Sequence, residues 1–381
     1  MNKGFLGRLA LIIGLVLVIG SMMLTTVAPN LISAPVNQPP PATPEAADSP
    51  AQPSVVFPTP PPGTPAVDVA GIYVHPSAAF YVLHPQGWTA TATTQEDIAS
   101  VSLVNGALYS VVHAYIQRYT FDQTVSSLDA LNDAAALAAS WTEYDGWAET
   151  DRQALADRLI IDFRLELGAN TYLARHITWP APADHTWAMV LRLVAPGNNP
   201  ALLDRLEALI IPSYDLLPDS LAAPLPWTGY VDHESGFSLK YPDGWAVVDG
   251  GVGRTTTLAS ADGSASLTVG VNADAALDGP NAAGEWVRQG RPGATVVDVA
   301  AVERAAGSGF SVAYTFADAD GEGRSGLAVL LNGPDGRLLT ATLRLNVAGV
   351  NLLAGEAEGQ WSEALQALAT FAPLPDAVRE A

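Results

Sequence analysis

The strongest constraint on how this chain folds is that it states one sequence twice. Phe80-Tyr-Val-Leu-His-Pro-Gln-Gly-Trp88 recurs as Phe237-Ser-Leu-Lys-Tyr-Pro-Asp-Gly-Trp245, an offset of 157 residues that runs without a gap from Phe80–Gly106 to Phe237–Gly263. A solenoid repeats every ~20–50 residues, so this longer period means two copies of one domain. The division is residues 67–214 for the first copy, 215–226 for a proline-punctuated linker, 227–376 for the second copy and 377–381 for a tail.

Both copies read in the same order. A strand (Phe80–Leu83; Phe237–Tyr241) runs into a Pro-x-Gly-Trp turn. Two strands follow, joined at Asn105-Gly106 and Asp262-Gly263, which are two-residue hairpin signals. Next is a helical stretch, Leu128–Trp141 and Ala282–Gln289. A hairpin follows, Leu159–Phe163 with Tyr172–Trp179 in the first copy and Gly309–Phe316 with Ser325–Leu331 in the second. A last strand (Trp187–Val194; Leu338–Val347) leads to a closing amphipathic helix. Its apolar positions are Leu202, Leu206, Leu209 and Ile210 in one copy and Trp361, Leu365 and Leu368 in the other. Strands in runs with helices set apart predict an α+β domain with a mostly antiparallel sheet.

The repeated element has a physical role. Proline cannot donate to a sheet ladder and ends the strand. Glycine admits a positive backbone torsion in the turn. Tryptophan buries a large apolar surface. The fold-signature residues are therefore Phe80, Pro85, Gly87 and Trp88, and Phe237, Tyr241, Pro242, Gly244 and Trp245. An aromatic residue, a short strand, Tyr-Pro-x-Gly-Trp and a closing helix some 120 residues later resemble the PsbP-like family. The second copy matches from Gly236; the first has Ala79 and His84 where the second has Gly236 and Tyr241. The resemblance implies an α/β/α sandwich around a central antiparallel sheet in each copy. It also implies a role in binding proteins or metal clusters, and it brings no catalytic motif.

Leu9–Ala28 is an uncharged, mostly apolar run of twenty residues, the length that spans a bilayer core. Lys3 and Arg8 precede it, which places the N-terminus in the cytoplasm and the rest outside. Pro29 follows Thr26-Val-Ala28, a poor context for cleavage, so residues 1–28 read as an uncleaved anchor rather than a signal peptide. Residues 29–66 hold thirteen prolines and read as an extended stalk of at most ~120 Å at ~3.1 Å per residue. The expected location is the cell membrane, single-pass, with extracytoplasmic domains.

A net charge of −21 argues against nucleic acid, which is bound through Lys and Arg. With no cysteine, disulfides, thiolate catalysis and cysteine-ligated metals are excluded.

Five of the six histidines fall in the first copy: His75, His84, His113, His176 and His185. A hairpin turn centred on Pro182 would pair Trp179 with His185 and His176 with Ala188, putting His176 and His185 on opposite faces. That disfavours a joint metal site. Asp318-Ala-Asp-Gly-Glu-Gly323 lacks the later ligands of a calcium loop and reads as turn chemistry. Gly250-Gly-Val-Gly253 has no lysine after it and is not a phosphate loop. No nucleophile elbow or zinc-protease motif is present. Catalytic, metal and cofactor-binding residues are accordingly none, and no cofactor is expected. The expected function is a non-catalytic, membrane-anchored binding or assembly protein with an envelope protein as partner. The first copy, richer in His and Trp, is the more specialised binder. A small-ligand or metal-binding protein is the alternative. An envelope hydrolase comes third, without positive support.

Overall fold

The computed structural model describes residues 66–119, 125–182, 186–272, 276–333, 336–354 and 361–379. The apolar run Leu9–Ala28 and the proline-rich stretch lie outside these residues. Among the described residues no helix is long and apolar enough to cross a membrane.

The first unit runs β1 (Val69–Val74), β2 (Phe80–Pro85), β3 (Thr89–Thr94), β4 (Ile98–Asn105), β5 (Ser110–Arg118), α1 (Val125–Leu131), α2 (Ala134–Ser140), β6 (Gly146–Ala154), β7 (Leu159–Leu167), β8 (Asn170–Pro180), β9 (Trp187–Pro196), α3 (Pro200–Ile210) and β10 (Asp215–Leu216). The second runs β11 (Thr228–Asp232), β12 (Phe237–Tyr241), β13 (Ala246–Asp249), β14 (Thr256–Ala259), β15 (Ala265–Asn272), α4 (Pro280–Gly290), β16 (Thr295–Arg304), β17 (Gly307–Ala317), β18 (Gly323–Asn332), β19 (Leu338–Leu345), α5 (Ser362–Ala369), β20 (Ala372–Pro373) and α6 (Asp376–Arg379).

Each unit is built on a seven-stranded antiparallel sheet. The orders are β3-β4-β5-β9-β8-β7-β6 and β13-β14-β15-β19-β18-β17-β16, the same topology twice. A small three-stranded sheet accompanies each: β1-β2-β10 and β11-β12-β20. The protein is thus a two-domain, sheet-rich fold, mostly β, rather than a clear α+β sandwich. In each unit part of the expected helical layer is strand: the small sheet and one helix share a face of the large sheet. In the first unit Phe80 and Val82 of β2 pack with Leu202, Leu206 and Ile210 of α3 over Leu191 and Leu193 of β9. On the opposite face Leu128, Leu137 and Trp141 cover Leu159, Ile161, Phe163 and Leu165.

The Pro-x-Gly-Trp turns are closed by Trp88 N donating to Pro85 O (3.3 Å) and Trp245 N donating to Pro242 O (3.2 Å). Gly87 and Gly244 sit at φ +77° and +86°, torsions that glycine alone adopts freely. Phe80 and Phe237 are fully buried, and Trp88 and Trp245 pack against the two main cores.

Several expectations are corrected. The hairpins at Asn105-Gly106 and Asp262-Gly263 have longer loops: Asn105 pairs with Ser110, and Ala259 with Ser266. The helix expected over Leu128–Trp141 breaks at Asn132-Asp133. There Asp133 Oδ1 accepts from Ala136 N (2.9 Å) and starts α2, a capping role that competes with helix continuation. The linker residues 215–226 contribute to both units. Leu216 and Leu225 belong to the first core, Ala223 and Trp227 to the second.

The units are locked together through this segment and the β1–β2 turn. Gly229 N donates to Pro76 O (2.8 Å). A Cβ on Gly229 would lie 2.6 Å from Ala78 Cβ and 2.7 Å from Pro76 O. Ala78, Tyr81 and Leu217 of the first unit pack with Leu374, Val378 and Val231 of the second.

Candidate functional site

β9 is buried along nearly its whole length, as the central strand of a sheet covered on both faces should be. Its sequence, Trp-Ala-Met-Val-Leu-Arg-Leu-Val-Ala-Pro, carries one charge, Arg192, which is only 6% exposed. Because side chains alternate along a strand, Arg192 faces α1 and α2 while Leu191 and Leu193 enter the opposite core.

A polar chain is built around it. Arg192 Nε donates to His176 Nδ1 (3.2 Å), so the remaining proton of His176 sits on Nε2, which donates to Thr178 Oγ1 (2.9 Å). Thr178 Oγ1 in turn donates to Asn132 Oδ1 (3.4 Å), and Asn132 Nδ2 donates to Leu128 O (2.8 Å). Arg192 Nη2 donates to Tyr115 Oη (3.0 Å) and to Ser140 Oγ (2.7 Å). The guanidinium lies 5.1 Å from the Tyr115 ring centre and 5.6 Å from that of Trp141. The helix break at Asn132 is therefore part of the site: it turns a side-chain amide toward the histidine–threonine pair.

The electrostatics follow from burial. Desolvation, reinforced by Arg192, lowers the pKa of His113 to about 3; the same causes hold His176 well below its usual range. Both rings are neutral at pH 7 and leave Arg192 as the local charge. No carboxylate among the described residues makes an ion pair with Arg192. Glu143, raised by burial with Arg192 opposing, lines the cleft beside it. The result is a small cleft of about 30 Å³, lined by Ser102, Val111, His113, Trp141, Glu143, Tyr144, Arg192 and Val194.

The second unit has the same arginine with different neighbours. In the first, one cross-strand row reads Ser102, His113, Arg192, His176, Ile161. In the second it reads Ala259, Ser266, Arg344, Gly326, Tyr314. Leu191-Arg-Leu193 and Leu343-Arg-Leu345 thus hold the same place. The Tyr314 ring covers Gly326, 2.3 Å from where a Cβ would stand. Arg344 lies 3.6 Å from the carboxylate of Asp318, which also pairs with Arg324 at 2.7 Å. Among the described residues no histidine or arginine of the second unit is buried.

The sequence-selected histidines divide. The structure brings His113 and His176 together through Arg192. The register expected for His176 is corrected: it pairs with Arg192, not Ala188, and Trp179 pairs with Met189, because the connection is longer than a turn at Pro182. His185 lies outside the described residues. His84 Nε2 caps its own turn at Trp88 O (2.9 Å). His75 and Ser77 form a serine–histidine pair (2.8 Å), but both are buried and the other ring nitrogen meets Thr93 O and Ser100 O. It is a sealed turn, with no approach for a substrate. The Asp318 loop is a turn: Asp318 Oδ1 accepts from Asp320 N and Glu322 N. No group of three potential metal ligands occurs among the described residues.

Arg192 was the residue missed. Its signal is legible: a lone charge within a continuous apolar strand, in a tripeptide the second copy repeats.

No family profile matches the chain, and no curated protein does. Among solved structures, cyanobacterial PsbP from Synechocystis sp. PCC 6803 overlaps 38% of this chain and 91% of its own, at 19% identity and TM-score 0.29. The immunity protein TplEi of the type VI secretion system of Pseudomonas aeruginosa overlaps 76% of this chain and 98% of its own, at 12% identity and TM-score 0.24. The Tle4–Tli4 complex overlaps 80% and 98%, at 12% identity and TM-score 0.22. Likenesses this weak carry no argument.

Proposed function

We propose that this chain is a non-catalytic binding protein whose first unit carries the ligand-engaging face and whose second unit is its firmly joined structural counterpart. One observation carries the reading: in the second unit the duplicated arginine stands within ion-pair range of Asp318, whereas in the first the far more buried Arg192 makes no ion pair with Glu143, the one carboxylate lining its cleft. A buried cation left in that state costs stability unless something uses it. The surroundings suit a protein partner. Tyr109, 60% exposed, and Tyr172 and Tyr144 lead toward Trp141 at the cleft, and aromatic residues are enriched where proteins meet.

The proposal extends to placement. Residues 1–28 would anchor the chain in a membrane, and residues 29–66 would hold both units, as PsbP-like domains, on the extracytoplasmic side. The charge order around Leu9–Ala28 and the duplicated turn motif support this part. A photo-crosslinking residue at Tyr109, compared with one at Val248 in the second unit, tests the binding reading in native cells. Discrete adducts from Tyr109 and none from Val248 are expected. The reverse pattern would overturn it.

A further inference from the structure

Arg192 has five N–H donors, and the fold uses three of them. Nε and both hydrogens of Nη2 are taken by His176, Tyr115 and Ser140. Nη1 has no hydrogen-bond partner among the described residues, although the side chain is more than nine-tenths buried and lines the cleft. Nη1 is not one of the sealed, unmet donors of the fold; it faces the cleft, where water meets it until a ligand displaces that water. The equivalent arginine of the second unit, more exposed, has a carboxylate within 3.6 Å, that of Asp318, which it shares with Arg324.

We propose that the cleft of the first unit receives a carboxylate, one oxygen accepting from Arg192 Nη1 and the stem lying between Trp141, Tyr144 and the valines Val111 and Val194. This rests on the reading of the first unit as the ligand-engaging one, and names what it engages. Size selects the ligand: about 30 Å³ holds one or two small groups, not a cofactor. The fixed half of the guanidinium rules out a two-pronged grip, so a single oxygen is bound and the apolar walls read the stem. Glu143, which lines the same cleft, opposes any anion there and a doubly charged phosphate most, which favours a monocarboxylate group over a phosphate. An aspartate or glutamate side chain of a partner protein and a free short-chain acid share this chemistry.

The test follows the Trp141 indole signal of the full-length chain, labelled at tryptophan, during titration at pH 7 and constant ionic strength. The probes are acetate, acetamide, sodium chloride, and the blocked tripeptides acetyl-Gly-Asp-Gly-amide and acetyl-Gly-Asn-Gly-amide. A saturable shift with acetate or the Asp peptide, and none with the other three, is expected. Tighter binding of the peptide than of acetate assigns the carboxylate to a protein; the opposite order assigns it to a small acid. Glu143→Gln, which leaves the buried network intact, should tighten carboxylate binding several-fold. Arg192→Gln should abolish it, and Arg344→Gln should not. An unmoved signal with acetate and the Asp peptide in both wild type and Glu143→Gln overturns the proposal, as does an equal shift with acetamide. If Tyr109 still forms discrete adducts while no carboxylate moves Trp141, the carboxylate assignment fails alone; if both fail, the binding reading falls with it.

Discussion

Arg192 and Arg344 stand in the same cross-strand row of two sheets with the same strand order, yet one faces His113 and His176 and the other faces Ser266 and Gly326. The two units share the arginine and its flanking leucines and differ in its cross-strand neighbours. In the second unit a tyrosine ring covers Gly326 and Asp318 stands beside an arginine whose side chain is 38% exposed. In the first, two neutral imidazoles and a broken helix bury the arginine almost completely and leave only a small cleft at one edge.

The histidine that orients Arg192 is the first place to probe this account. His176→Ala removes the acceptor of Nε and leaves a buried charged donor unmet, which should cost ~1–3 kcal/mol. Chemical denaturation of the variant checks the value. A change under ~0.5 kcal/mol would show that the polar chain is not a structural support.

Acid should destabilise the first unit through its histidines. Burial lowers His75 to about 4 and His113 to about 3, against ~6.5 in the unfolded chain. A base whose pKa is depressed on folding binds fewer protons when native. Stability therefore rises with pH between those values and ~6.5, and is lost as pH falls through that window. Denaturation at pH 7, 5.5 and 4 should show a declining midpoint, and His113→Leu should flatten the decline.

Lys240 is a base shifted in the same direction, and it acts in a higher pH window. It is fully buried, its Nζ donates to Pro224 O (2.7 Å), and desolvation lowers its pKa from 10.5 to about 7. Stability should rise with pH from about 7 to 10.5 through this group and be penalised in full below that window. Lys240→Met keeps the volume and removes the charge. It should stabilise the fold by ~1–4 kcal/mol at neutral pH, with most of the slope between pH 7 and 10 gone. Thermal melts across that range decide it.

The junction makes a mechanical prediction. Gly229→Ala would drive a methyl group into Ala78 and Pro76 and break the bond from Gly229 N to Pro76 O. A cost of ~1–3 kcal/mol from overpacking is expected, together with loss of coupling between the units. Calorimetry should then show two transitions where the parent shows one.

The parts of this fold that were legible are those where a local signal matched the final environment. Phe80 and Phe237 open strands and are buried, and Pro85, Gly87, Pro242 and Gly244 make the turns their chemistry predicts. The edge strands β6 and β16 were not legible. Residues such as Glu149, Asp151 and Arg152 are exposed on both sides, so no alternation of apolar and polar residues marks them as strand. Both edges also carry a bulge, at Glu149/Asp151 and Val296/Asp298, which shifts the pleat. The break between α1 and α2 was hidden because the alanine run propagates helix by propensity, whereas Asn132 and Asp133 act through side-chain bonds to Leu128 O and Ala136 N. At the candidate site, counting histidines draws attention to His113 and His176 and passes over the arginine between them. The organising residue is Arg192, and its partners come from β5, β8 and α2, separated by 52 to 77 residues from it in the cases of Ser140 and Tyr115. Such convergence is a property of register, and the register of β8 on β9 depends on a connection whose length the proline pattern misstates.

The central claim is that the arginine of the first unit, and not its twin, engages a ligand. Its most direct test is photo-crosslinking from Tyr109 in native cells for the parent chain, Arg192→Lys and Arg344→Lys, with thermal melts to show that each variant is folded. The account predicts that the adducts vanish in Arg192→Lys and persist in Arg344→Lys. Adducts that survive in both, or that disappear only in Arg344→Lys, would contradict it.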